Sequence, residues 1–247
     1  MEILEEAELC FPQLNISCKK TMHLSFEDVL ISSLQTIIAS LTVVLNLLVI
    51  ISISHFRQLH TNTNFLVLSL AVADFLVGLL EMPIEIILSQ GCWHLNNFLC
   101  DVNFFLSYYL VSVSVGNLVL ISVDRYVAIC DPMLYYTKVT ARAMRSHIAA
   151  VSLQRSETVK KSELKAARTL GVVVFVFLLC SSPYYIFSVA VKNSSIAETS
   201  AAIWLLYCNS GLNPVIYAFF YPWFRKSIKH IVTLQILQPG SCDANML

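Results

Sequence analysis

The chain has 247 residues, of which 57% are hydrophobic and 13% charged, about half the charge of an ordinary globular domain. Sixteen basic residues balance sixteen acidic ones, so net charge gives no ground for a nucleic-acid partner. Long apolar runs with so little polar sequence to cover them exclude a soluble protein and predict an all-α membrane bundle.

Residues 1–28 read as a short outer tail. It is acidic over Met1–Glu8 and lacks the basic start of a cleaved signal peptide, so the first span is expected to serve as insertion signal. Spans are predicted at about 29–54, 63–89, 98–129, 168–191 and 197–220. Four contain uncharged runs, Val29–Ser54, Val102–Val123, Thr169–Val191 and Thr199–Phe224. The segment 130–167 reads as a basic cytoplasmic connector. Its longest uncharged stretch, Ser146–Gln154, would cover only ~14 Å as helix. Residues 221–247 read as a cytoplasmic amphipathic helix and tail, with Phe224, Ile228, Ile231 and Val232 on one side and Arg225, Lys226 and Lys229 beside them.

Charge fixes the expected orientation. With the N-terminus outside, Lys19, Lys20 and Lys192 are the outer basic residues, and the other thirteen face the cytosol and its anionic lipids. That sidedness puts the glycosylation sequons at Asn15 and Asn193 outside. Cys10, Cys18, Cys92 and Cys100 fall on the oxidising side as disulfide candidates. Cys180 and Cys208 read as small packing residues, and Cys242 as an acylation candidate.

Ionisable groups inside a span are costly and point to function. Asp74 is the deepest. Glu81 and Glu85 follow at 7 and 11 residues, which on a regular helix falls within ~20° of the Asp74 direction. All three are expected on one inward face, with Pro83 kinking the helix. The plainer reading leaves the two glutamates snorkelling to the outer interface.

The chain carries Asn46, Leu70-Ala-Val-Ala-Asp74, Asp124-Arg125-Tyr126, Pro183 and Asn213-Pro214-Val-Ile-Tyr217 in order. Together these resemble the rhodopsin-like G-protein-coupled receptors. The stretch Asn209-Ser-Gly-Leu-Asn-Pro-Val-Ile-Tyr217 through Trp223-Phe224, with Gly91-Cys92-Trp93, is similar to the trace amine-associated subfamily. The resemblance implies a plasma-membrane receptor for small amines, olfactory in many relatives, which couples to a heterotrimeric G protein and raises cyclic AMP. It implies a switch in which Asp124 and Glu163 hold Arg125, beside Tyr126, while Asn213 and Pro214 let Tyr217 rotate inward. It also implies a sodium pocket of Asp74, Ser114, Asn209 and Asn213, whose oxygens suit a hard cation. No other cofactor is expected, and the absence of a nucleophile–base pair, metal-spaced cluster or phosphate loop argues against an enzyme.

Three departures stand out. Five spans replace seven, and the match breaks near Arg142–Ser146, so the fourth and fifth spans are those missing, along with the loop cysteine the family pairs with Cys100. The position of the family's amine-binding aspartate, seven residues after Cys100, is Ser107. The tryptophan two before Pro183 is Ser181. An ammonium ion in a dry pocket needs a counter-charge. Glu85, with Glu81 below it, is the expected source, and Tyr184, Tyr185, Trp204 and Tyr207 are expected to add aromatic faces. The competing expectation is a shortened, non-signalling form that is retained in the cell or modulates full-length receptors.

Overall fold

The computed structural model describes residues 26–89, 97–130, 171–186 and 196–246. Every regular element among them is helical. Most of the outer tail and the connector beyond 130 lie outside the described residues.

Helix α1, Phe26–His55, places Glu27 and Asp28 in its first turn, where carboxylates meet the positive end of the helix dipole. Its buried stripe is Gln35, Ala39, Thr42, Asn46, Val49, Ser52 and Ile53, at helical spacing. Leu30, Leu34, Ile37, Leu41 and Val44 are exposed on the rest of the surface. That pattern has polar groups inside and aliphatic ones outside, as expected where the solvent is lipid and every polar group must find a protein partner.

Helix α2, Asn62–Leu76, starts at Thr61, whose hydroxyl accepts the backbone N–H of Asn64 at 3.2 Å. It runs into a π-helical turn, Val77–Glu81, closed by the Met82 N–H reaching back to the Val77 carbonyl, and continues as α3, Met82–Ser89. The sequence predicted a simple proline kink here. The wide turn instead precedes Pro83, whose ring would collide with the carbonyl of Leu79 along a regular α-helical path. The remaining helices are α4, Asn97–Cys130; α5, Gly171–Ile186; α6, Ile196–Phe220, with Pro214 inside it; and α7, Pro222–Val232. Helix α1, the continuous stretch Asn62–Ile87 and the Asp101–Val127 part of α4 are each long and apolar enough to cross a membrane.

Helix α2 packs against α1 and α4, while α6 packs against α1, and α7 closes on both. Two cores result. The outer one gathers Ala39, Ala73, Val77, Met82, Leu110, Trp204 and Tyr207. The inner one runs from Val49 and Ile53 through Phe56, Leu59 and Leu70 to Tyr217 and Phe224. Between them Thr42 of α1 is wedged against two glycines. A Cβ on Gly78 would stand 3.0 Å from Thr42 Cγ2, and one on Gly211 would stand 2.8 Å from Thr42 Oγ1. Both glycines are there for the close approach of backbones.

The buried side of α7 is Trp223, Phe224 and Ser227, with Ile228 and Ile231 half-buried. Val232 is 71% exposed, so it does not share the apolar side that the sequence assigned to it. The helix stops there: Leu234 takes a left-handed conformation, φ 57°, and redirects the chain. Pro239-Gly240 then makes a type II turn, with Gly240 at φ 82°, ψ 2° and the Ser241 N–H donating to the Gln238 carbonyl at 3.1 Å. The tail returns to the inner end of α1. His55 Nε2 meets Ser241 Oγ at 3.0 Å, the Met246 N–H donates to Gln58 Oε1 at 3.1 Å, and the Met246 side chain is fully buried in the inner core. The Arg57–Asp243 ion pair at 3.6 Å is exposed and adds little.

Candidate functional site

Polar and charged side chains are buried at three depths. At mid-depth, Asp74 is fully buried and its Oδ2 accepts from Asn213 Nδ2 at 2.7 Å. The Ser210 side chain also hydrogen-bonds to this carboxylate. Asn46 Nδ2 spans two helices, donating to the carbonyls of Thr42 and Ser210 at 3.0 Å each. Asp74 Oδ1, Asn209 Oδ1 and Asn213 Oδ1 are buried without a hydrogen-bond partner. A cavity of about 20 Å³ is lined among others by Ser114, Phe177, Tyr207, Asn209 and Ser210, so of the three it is Asn209 that borders it. That is room for one water-sized guest. Orphaned oxygens, one of them on a carboxylate, are the donor type that suits a hard cation such as sodium, and Ser114 carries a further oxygen on the cavity wall.

At the inner end, Arg125 Nη2 donates to Asp124 Oδ2 at 2.6 Å and Nε to the same oxygen at 3.1 Å. Thr63 completes a closed triangle. Its hydroxyl donates to Asp124 Oδ2 at 2.7 Å and accepts from Arg125 Nη2. The sequence did not single out Thr63, although its place two residues after the Thr61 cap sets it in the first turn of α2. Tyr126 is 67% exposed and stands apart from this triangle. Tyr217 is buried, edge-on to Tyr221 at 5.9 Å, with Pro214 buried beside it in α6. Glu163 lies outside the described residues.

At the outer end the π turn delivers Glu81, 2% exposed, against α4, where Ser107 Oγ donates to Glu81 Oε2. The neutral serine at the aspartate position thus holds a carboxylate supplied by the neighbouring helix. Tyr207 hydrogen-bonds to Ser107 and lies within electrostatic reach of Glu81 and Glu85. Trp204 stands edge-on to Tyr207, ring centres 6.1 Å apart. Glu81 Oε1 and Trp204 Nε1 are buried without partners. The structure therefore makes Glu81 the buried acid and leaves Glu85 half-buried, reversing the emphasis on Glu85. Tyr184 hydrogen-bonds to Tyr108 and lies within electrostatic reach of Tyr207. Tyr185 is 48% exposed and stands edge-on to Tyr184. Ser181, in the place of the family's tryptophan, is buried with its hydroxyl unpaired.

The glycosylation sequons at Asn15 and Asn193 and the cysteines Cys10, Cys18 and Cys92 lie outside the described residues, and Cys100 falls in the first turn of α4. Cys180 is buried and Cys208 half-buried, both as free thiols. Among the described residues no group of His, Cys, Asp and Glu could hold a metal through three or more such ligands.

The family model for seven-transmembrane receptors of the rhodopsin family matches residues 45–153 and 144–217. The two pieces meet over 144–153, inside the connector. Trace amine-associated receptor 13c of Danio rerio is 33% identical over 331 aligned positions, taking in 98% of this chain and 97% of that receptor. Trace amine-associated receptor 7e of Mus musculus is 32% identical over 330 positions (97% of this chain, 92% of that one). Receptor 7d of Rattus norvegicus is 31% identical over 331 positions, with the same two shares. The 331 aligned positions exceed the 247 residues of this chain by 84, so at least 84 positions of the Danio rerio receptor face a gap. That number of unmatched positions is enough for two spans of about 20 residues and their connections. The chain belongs to the rhodopsin family of seven-transmembrane receptors and, within it, to the trace amine-associated receptors.

Proposed function

We propose that this chain is a plasma-membrane receptor for a small organic ammonium ion, with Glu81 as the counter-charge. The observation that supports it most is the Glu81 carboxylate, buried in α4's shadow, held by Ser107 through one oxygen and unpaired at the other. An unpaired buried charge is costly unless a partner arrives. The walls beside it, Tyr207 and Trp204, offer aromatic faces suited to a cation. Glu85 adds negative potential at the mouth.

The Arg125–Asp124–Thr63 triangle is the resting lock of the inner face, and its opening admits a heterotrimeric G protein. A sodium ion among Asp74, Ser114, Asn209 and Asn213 biases the bundle toward that resting state. The N-terminus faces outward, the basic connector and α7 meet inner-leaflet lipid, and the physiological role is olfactory detection of amines.

The gap of at least 84 positions favours a second reading, a non-signalling form that lacks one wall of the pocket. One experiment separates the two. Cells expressing the tagged chain are stained without permeabilisation and challenged with an amine panel while cyclic AMP is followed. Surface staining with a response that Glu81→Gln abolishes supports the receptor. Intracellular retention and silence support the shortened form.

A further inference from the structure

We infer that the ammonium group bound at Glu81 donates to two acceptors on different helices, Glu81 and Asn103, and that the ligand is therefore an amine with at least two N–H bonds. This rests on the amine reading above and narrows it. Asn103 lies four residues before Ser107 on α4, hence on the same face, where neighbouring side chains are about 5–6 Å apart. The rest of that face, Leu110 and Ser114, is buried and looks into the bundle. Asn103 Oδ1 is itself buried without a hydrogen-bond partner. Because Ser107 is bonded to Glu81, the i, i+4 spacing puts the two orphaned oxygens on the order of one helical turn apart, between the π turn and α4. That spacing suits one nitrogen donating to both, since each N–H···O bond is ~2.8–3.0 Å between heavy atoms.

Charge alone does not discriminate among ammonium ions. A trimethylated nitrogen satisfies the Glu81 charge and the aromatic faces equally well. It has no N–H, and so leaves both acceptors dry and unpaired. Sites built to hydrogen-bond a donor reject the analogue that lacks it far more strongly than an apolar wall rejects a methyl group. Asn103 is thus the residue that reads the degree of substitution at nitrogen, and Glu81 the one that reads its charge.

The test uses the full chain in lipid nanodiscs and matched amine pairs, primary and N,N,N-trimethyl, on butyl, benzyl and 2-phenylethyl skeletons. Binding is measured by calorimetry or by displacement of whichever pair member binds. Wild type should favour the primary member by about tenfold or more. Asn103→Leu should reduce that ratio to about twofold while leaving trimethyl affinity unchanged, which shows that the bundle is intact. Asn103→Asp, which keeps an acceptor, should preserve the preference. Equal binding of both members by wild type, or an unchanged ratio in Asn103→Leu, overturns the inference and leaves the amine reading standing. Binding of no pair, or full binding in Glu81→Gln, removes the amine reading itself.

Discussion

At the inner end, Arg125, Asp124 and Thr63 close on one another, Thr61 caps α2, and Ser241 and Met246 tie the tail to His55 and Gln58. At the outer end and mid-depth the buried side chains are left half-satisfied: Gln35 Oε1, Asp74 Oδ1, Glu81 Oε1, Asn103 Oδ1 and Trp204 Nε1 have no partner. An unmet buried polar atom costs about 1–3 kcal/mol. The inner end is therefore built to hold a shape, and the region above it to receive something. On the receptor reading proposed above, their separation along one helix bundle is what would let a guest above bias the Arg125 triangle below.

That contrast can be broken at several points. The largest effect is expected from Phe224→Ala, which empties a fully buried site in the inner core and should cost about 3–5 kcal/mol in thermal or denaturant unfolding. A loss below about 1 kcal/mol would mean that α7 is not part of a continuous core. Gly211→Ala drives a methyl against Thr42 Oγ1 and should cost about 1–3 kcal/mol. Adding Thr42→Ala should recover part of it, and simple additivity of the two losses would contradict the wedge. In the upper region the sign reverses. Glu81→Leu removes a buried carboxylate with one orphaned oxygen and should raise stability by about 1–2 kcal/mol while ending ammonium binding. A destabilised Glu81→Leu would mean that the carboxylate is already satisfied. The smallest effect is expected from Thr63→Val. It deletes a hydroxyl from the Arg125 triangle at about 1 kcal/mol, and an unchanged melting curve would show that the triangle does not hold the inner end.

Much of this was legible in the sequence. Asp74 and Asn213 were paired by their motifs, and they meet at 2.7 Å. Arg125 and Asp124 were adjacent, and they bond. Ser107 was named as the position lacking its usual charge. What composition and spacing do not carry is the partner 26 residues away. A regular helix put Glu81 and Glu85 on equal footing, because nothing local announces the i→i+5 bonds of a π turn beyond Gly78 and Pro83, which have other uses. Asn103 could have been found from its spacing to Ser107, as could the turn at Pro239-Gly240. The return of Met246 into the inner core was not legible, since its partners lie near residue 58 and depend on how the chain leaves Leu234.

The π turn also bears on how such a bundle diversifies. The wide turn absorbs about one residue more than a regular helix would, so closing it into α-helix with every residue kept would swing everything above it by about 100°, taking Glu81 off Ser107 while Asp74 and the Arg125 triangle beneath stay in register. A substitution that tips this one turn between its wide and regular forms can thus re-aim the upper pocket while the half below is inherited intact.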